Sequence, residues 1–167
     1  MDHSNLLPDD IDQLAKRVVD ENAAVGRKVT LAESCTGGLV AAAITEIPGS
    51  SAVLDRSFVT YSNEAKMEML GVSSEIIETF GAVSIACVWA MAKGALDKSN
   101  ADVAVAVSGI AGPGGGTTLK PVGTVVFARV YRSEAGGPEG ELKQFGAESR
   151  AEVRRQATLC ALELLLP

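Results

Sequence analysis

Apolar positions recur at helical spacing at Ile11, Leu14, Ala15, Val18 and Val19, behind Asp9 and Asp10, and the pattern stops at Gly26. A helix that rests one face on a core needs this three-to-four spacing, and an aspartate ahead of it can cap the free amides of its first turn. At residues 28–32, KVTLA, the period changes to a short β-branched apolar run, which predicts a strand. The run passes without a spacer into SCTGGLVAAAI at 34–44, an alanine-rich stretch that predicts a helix. Strand, tight turn and helix therefore follow in that order.

Pro48 and Gly49 break this helix, and residues 52–61 predict a second strand. Ser62 or Asn63 then caps a short helix over 64–70 that Gly71 closes. A second short helix over 74–80 ends at Gly81, and a longer one over 84–96 sets Ile85, Val88, Trp89 and Ala92 on one face. Trp89 and Met91 are accordingly expected in the core. The continuous apolar run 102–107 suits a central strand buried on both faces. Residues 122–131 predict another strand, which the polar turn 133–140 joins to 141–146 as an antiparallel hairpin. A last helix over 149–166 carries Val153, Ala157, Cys160, Ala161 and Leu164 on one side. Strands alternating with helices, then a hairpin, specify an α/β layered domain with a mixed sheet.

Length and composition narrow this picture. The 167 residues favour one domain, taken as 9–167 after a short flexible tail at 1–8. A net charge of −6 and only 4% aromatic residues argue against a broad basic face for nucleic acid or an anionic membrane, and against stacking platforms for single strands. No apolar run is long enough for a membrane span and no basic-then-apolar leader opens the chain, so a cytoplasmic location is expected. The three cysteines stand far apart without a CxxC pair, so neither a zinc site nor a disulfide framework is expected. The single histidine, His3, sits in the tail, which disfavours a histidine triad, a histidine-ligated metal and a histidine base. Any catalysis must then use another base.

Three segments can carry chemistry. In ESCTGG, 33–38, unpaired amides at a helix start and adjacent glycines can hold a phosphate or an oxyanion, although Ser34 and Thr36 fit a plain helix cap equally well. Cys35, with no histidine to activate it, reads as a packed side chain. In YSNEAK, 61–66, a strand delivers Tyr61 and a helix start delivers Lys66. With histidine absent, serine plus lysine is the available nucleophile and base, provided burial or a neighbouring cation lowers the lysine pKa; alone, the segment also fits a solvated lysine. The glycine loop GIAGPGGGTTLKP, 109–121, lacks the GK[ST] ending of a P-loop and leads into a strand, so it meets neither nucleotide motif. It can wrap a ligand with its amides, Lys120 adding charge, or be a plain surface loop. Arg150 can clamp a phosphate, while Arg154 and Arg155 read as a solvated face.

Taken together, LAESCTGG (31–38), PGSS (48–51), FVTYSNEAK (58–66), GAVS (81–84), VSGIAGP (107–113) with Gly115 and Gly116, and KPVGT (120–124) resemble the CinA C-terminal domain family, in order and spacing from Ala15 to Leu164. The resemblance implies a three-layer α/β/α sandwich with a mixed, mainly parallel sheet, commonly assembled as homo-oligomers. It also implies an amidohydrolase that needs no cofactor and converts nicotinamide mononucleotide to nicotinate mononucleotide and ammonia in pyridine nucleotide recycling. Carried over, Ser34 is the motif serine and nucleophile with Ser51 as its rival, Lys66 takes the proton, and Tyr61 relays it or supports the base. Ser108 lies near the amide or a ribosyl hydroxyl, and Arg150 faces the phosphate with the amides of Gly37 and Gly38. Glu33, Thr36, Gly109, Gly112, Gly115, Gly116 and Lys120 complete the expected substrate-binding set. The loop departs slightly from the commoner Gly-Pro-Asp/Thr-Gly-Gly, and Ile85-Ala86 stands where Glu is frequent. The alternatives are a non-catalytic nucleotide sensor and an interaction module associated with competence or DNA damage.

Overall fold

The computed structural model describes residues 5–133 and 137–167; His3 and residues 134–136 lie outside that range. The elements are α1 (Asp9–Val25), β1 (Val29–Glu33), α2 (Leu39–Thr45), a 3-10 turn (Ser50–Ala52), β2 (Leu54–Val59), α3 (Asn63–Leu70), α4 (Ser74–Phe80), α5 (Ile85–Asp97), β3 (Val103–Gly109), β4 (Thr124–Tyr131), β5 (Glu139–Gln144) and α6 (Arg150–Leu164). The sheet order is β2-β1-β3-β4-β5. β1 runs parallel to β2 and β3, while β4 is antiparallel to both β3 and β5, so β4 alone opposes the common direction.

Alternate residues of the strands feed two cores. Val29, Leu31, Val103, Val105, Val107, Val125 and Phe127 pack with α1, α2 and α6. Ala32, Ala104, Ala106, Val126 and Ala128 point the other way, against α5 and the ends of α3 and α4. This period-two alternation between two apolar faces is what a sheet covered by helices on both sides requires, and the result is a three-layer α/β/α domain. The second face is built from small residues, and contact is closest at Gly94. A Cβ there would stand 2.0 Å from the Leu70 carbonyl oxygen, so the last residue of α3 rests directly on the α5 backbone.

Three local expectations change. Trp89 is 42% exposed, because α5 turns Cys87, Val88, Met91, Ala92 and Ala95 inward and leaves position 89 on the flank, while Met91 is buried as expected. Neither Asp9 nor Asp10 caps α1: the N-cap is Pro8, and Asp10 is drawn to Arg155 of α6. Leu7, assigned to the tail, packs against the first core. Among the described residues no helix is long and apolar enough to cross a membrane.

The parallel strands end together. Glu33 pairs with Val59 on one side and Val107 on the other. Just beyond, Ser34 N donates to Val107 O at 2.9 Å and Thr60 N donates to Glu33 O at 2.9 Å. From this edge β1 leads to α2 on the first face and β2 leads to α3 on the second. Adjacent chains leaving a sheet toward opposite faces open a crevice at the carboxyl edge, where α/β proteins hold ligands.

Candidate active site

A cavity of about 190 Å³ occupies that crevice, lined by Ser34, Cys35, Tyr61, Asn63, Lys66, Ala82, Val83, Ser108, Gly109, Ala111 and Arg150. Ser34, Cys35, Lys66, Ser108 and Ala111 are its buried residues, and exposed Tyr61, Asn63 and Arg150 form the rim.

Ser34 follows β1 at the start of the tight turn expected between strand and helix. α2 begins only at Leu39, because Gly37 and Gly38 adopt φ of 59° and 100°, a left-handed backbone that side-chain-bearing residues avoid. The turn is held on two sides. Inside, the fully buried Glu33 carboxylate accepts from Thr36 Oγ1 at 2.6 Å, Val40 N at 3.0 Å, Ala41 N at 3.1 Å and Ser57 Oγ at 3.5 Å. Outside, Arg154 Nε donates to Cys35 O at 3.1 Å and its Nη2 to Thr36 O at 3.4 Å.

Lys66 comes from the first turns of α3, whose start is fixed by Ser62: its Oγ accepts from Ala65 N at 3.0 Å. The lysine is 1% exposed. Its Nζ donates to Ser34 Oγ at 3.0 Å and to the carbonyls of Thr60 at 2.9 Å, Tyr61 at 3.1 Å and Ser62 at 3.5 Å. A hydroxyl and three carbonyls carry no formal charge to offset the ammonium. Burial pushes the Lys66 pKa below the ordinary lysine value, against smaller opposing pulls from Cys87 and Cys35. Once neutral, the amine has a lone pair within hydrogen-bonding distance of the Ser34 hydroxyl, the arrangement a general base needs. Cys35, also in the wall, has its thiol pushed up to about 11, chiefly by burial, so it stays protonated at neutral pH.

The structure brings Tyr61, Ser108, Gly109 and Arg150 to the same cavity. The Tyr61 hydroxyl accepts from Arg150 Nη2 at 2.9 Å, and Arg150 Nη1 donates to Gly112 O at 2.8 Å. Tyr61 thus meets Lys66 through its main-chain carbonyl, while its hydroxyl turns to the rim.

Other expected site residues fall elsewhere. Ser51 sits in the 3-10 turn before β2, and Val29 N bonds Val53 O there, which places it at the opposite, amino-terminal edge of β1. Glu33 and Thr36 are fully buried under the turn and bond each other. The Gly37 amide closes onto Ser34 O, and Gly37 and Gly38 lie in the turn beside the cavity and not among its lining residues. Gly115, Gly116 and Lys120 lie outside the cavity, with Lys120 Nζ donating to Phe80 O at 2.8 Å and latching the glycine loop to the end of α4. Arg154 and Arg155 are not a solvated face: the first grips the Ser34 turn and the second pairs with Asp10 and Glu152. Sequence reasoning missed Asn63, Ala82, Val83 and Ala111 as cavity residues. Asn63 adjoins the noted Ser62 cap, and the apolar three lie inside the GAVS and VSGIAGP motifs, where their types alone point to no chemistry. Among the described residues no group of three or more His, Cys, Asp or Glu side chains could hold a metal ion.

Known proteins carry the same architecture. The crystal structure of the competence/damage inducible protein CihA from Agrobacterium tumefaciens superposes with a TM-score of 0.92 at 51% identity, covering 96% of each chain. The Escherichia coli competence-damaged protein (CinA) superfamily protein ECK1530/EC0983 gives 0.87 at 34% identity, over 97% of this chain and 92% of that one. Among curated proteins, nicotinamide-nucleotide amidohydrolase PncC of Escherichia coli (strain K12) is 52% identical over 153 residues, 92% of this chain and 91% of that protein. The PncC of Enterobacter agglomerans is 54% identical over 143 residues, 86% of this chain and 85% of that protein. A CinA-like protein of Akkermansia muciniphila is 50% identical over 92% of this chain, which spans only 36% of that longer protein. The CinA C-terminal domain matches residues 11–167, so on sequence and structure alike the chain belongs to the CinA C-terminal domain family.

Proposed function

We propose that this chain hydrolyses the carboxamide of nicotinamide mononucleotide, giving nicotinate mononucleotide and ammonia and thereby serving pyridine nucleotide recycling. The observation that carries this reading is the 3.0 Å contact between Ser34 Oγ and the buried Lys66 Nζ inside a cavity. The names of the PncC relatives agree with it.

In the proposed reaction neutral Lys66 takes the Ser34 proton as Oγ attacks the carboxamide carbon. The tetrahedral oxyanion needs donors, and Ser108, which lines the same cavity, supplies one through its hydroxyl. The Lys66 ammonium returns its proton to the nitrogen as the C–N bond breaks, and ammonia leaves. A water activated by the same amine then opens the acyl ester, freeing the carboxylate product and restoring Ser34. Arg150 at the rim offers a cation for the substrate phosphate.

The test is ammonia release from nicotinamide mononucleotide by the purified chain in the presence of a chelator. Turnover that Ser34→Ala abolishes supports the reading; binding of the nucleotide without turnover replaces it with a nucleotide sensor.

A further inference from the structure

We propose that Glu33 is a positioning residue for Ser34, acting through Thr36, and that neither side chain touches substrate. The inference rests on the reading of Ser34 as the nucleophile.

Glu33 is the last residue of β1 and the immediate neighbour of Ser34, yet its side chain turns under the backbone and is fully buried. Each of its four side-chain partners is a donor: a hydroxyl from the turn, two amides from the first turn of α2, and a hydroxyl from β2. One side chain therefore ties together strand, turn, helix and neighbouring strand around a single serine. A site with donors on both oxygens suits a carboxylate, since it has acceptors on both and no donor of its own. The 2.6 Å bond from Thr36 Oγ1 is the shortest of the four and the only one made by a side chain of the turn itself. The main chain of Glu33 reaches the other reacting group too: its carbonyl accepts from Thr60 N, and the Thr60 carbonyl accepts from Lys66 Nζ. The distance between nucleophile and base is thus referred to one residue on each side. Displacing a reacting group by about 1 Å can cost on the order of 100-fold in rate, so a lost tether here appears in turnover before it appears in binding.

The experiment compares steady-state ammonia release from nicotinamide mononucleotide for wild type, Thr36→Val, Thr36→Ser and Glu33→Gln, each assayed below its own melting temperature. Thr36→Val keeps the volume and removes the donor; kcat should fall about tenfold or more with KM within about twofold. Thr36→Ser, which restores a hydroxyl, should recover most of that loss. Glu33→Gln, which sets an amide donor against backbone donors, should lower kcat further, again with little change in KM. Unchanged kcat in Thr36→Val, a rise in KM in place of the kcat loss, or no advantage of Ser over Val at position 36 overturns the proposal. Full turnover by Ser34→Ala would instead remove the nucleophile assignment beneath it.

Discussion

Lys66 Nζ stands 3.0 Å from Ser34 Oγ across 32 residues of sequence, joining the ends of two adjacent parallel strands. If this pair is the nucleophile and its base, the two act as a unit, and removing either should cost about as much as removing both. Ser34→Ala and Lys66→Ala should each lower kcat about 1,000-fold or more, and the double variant should lose little further. Ser51→Ala, at the far edge of β1, should keep wild-type turnover. Ammonia release by the four proteins checks this, and an inactive Ser51→Ala beside an active Ser34→Ala would reverse the assignment.

The pH dependence follows from Lys66. Only the neutral amine can take the Ser34 proton, and burial lowers its pKa. Activity should therefore rise with pH along a single ionisation below the ordinary lysine value of about 10.4. The contribution of Lys66 to stability has the same sign: between its lowered folded value and the ordinary unfolded one, the unfolded lysine holds a proton that the folded one has lost, so this contribution grows as pH rises. The buried Cys35 thiol, pushed up to about 11, opposes it above the ordinary thiol value. A kcat/KM profile checks the sign for activity; activity falling through this ionisation would mean the ammonium form is the working one.

Much of this arrangement is readable in the residues. The switch from helical to strand spacing at 28–32 locates β1, and the Ser62 cap locates the helix that carries Lys66. What is not readable depends on contacts between distant segments. A tight turn between β1 and the alanine-rich helix is readable, but its length is not: left-handed Gly37 and Gly38, with Glu33 beneath, hold 34–38 out of the helix. Ser34 and Ser51 are both motif serines, and the parallel pairing of β1 and β2 decides which one meets Lys66. Lys120 and Arg154 look like ligand-facing and solvent-facing cations in one dimension. In three dimensions the first is taken by Phe80 O and the second by Cys35 O.

Arg150 joins the rim to the glycine loop through Tyr61 Oη and Gly112 O. If it also meets the substrate phosphate, Arg150→Ala removes a charge-assisted contact, typically about 1.5–3 kcal/mol, or roughly ten- to hundredfold in KM. The same variant should show little KM change on nicotinamide riboside, which lacks the phosphate. An equal rise on both substrates would assign Arg150 to holding Tyr61 and Gly112, and an unchanged KM on the mononucleotide would remove it from the phosphate site.

Gly94 connects the second core to the site. It is buried in α5, and an added Cβ would stand 2.0 Å from Leu70 O and 2.8 Å from Leu70 C, both backbone atoms that cannot rotate away. Gly94→Ala must therefore push the end of α3 off α5, and α3 carries Lys66. In an exposed helix the same change would stabilise, since alanine is the better helix former by about 1 kcal/mol. Here the overpacking cost, typically about 1–3 kcal/mol, should win and lower the melting temperature by several degrees. Because the displaced helix holds the base, kcat should drop in the protein that remains folded, while Gly26→Ala, which has open space but a left-handed φ of 65°, should lower stability and leave kcat unaltered. Melting curves and ammonia release on the two variants test this, and a Gly94→Ala protein as stable as wild type would show that the contact between α3 and α5 is looser than the structure describes.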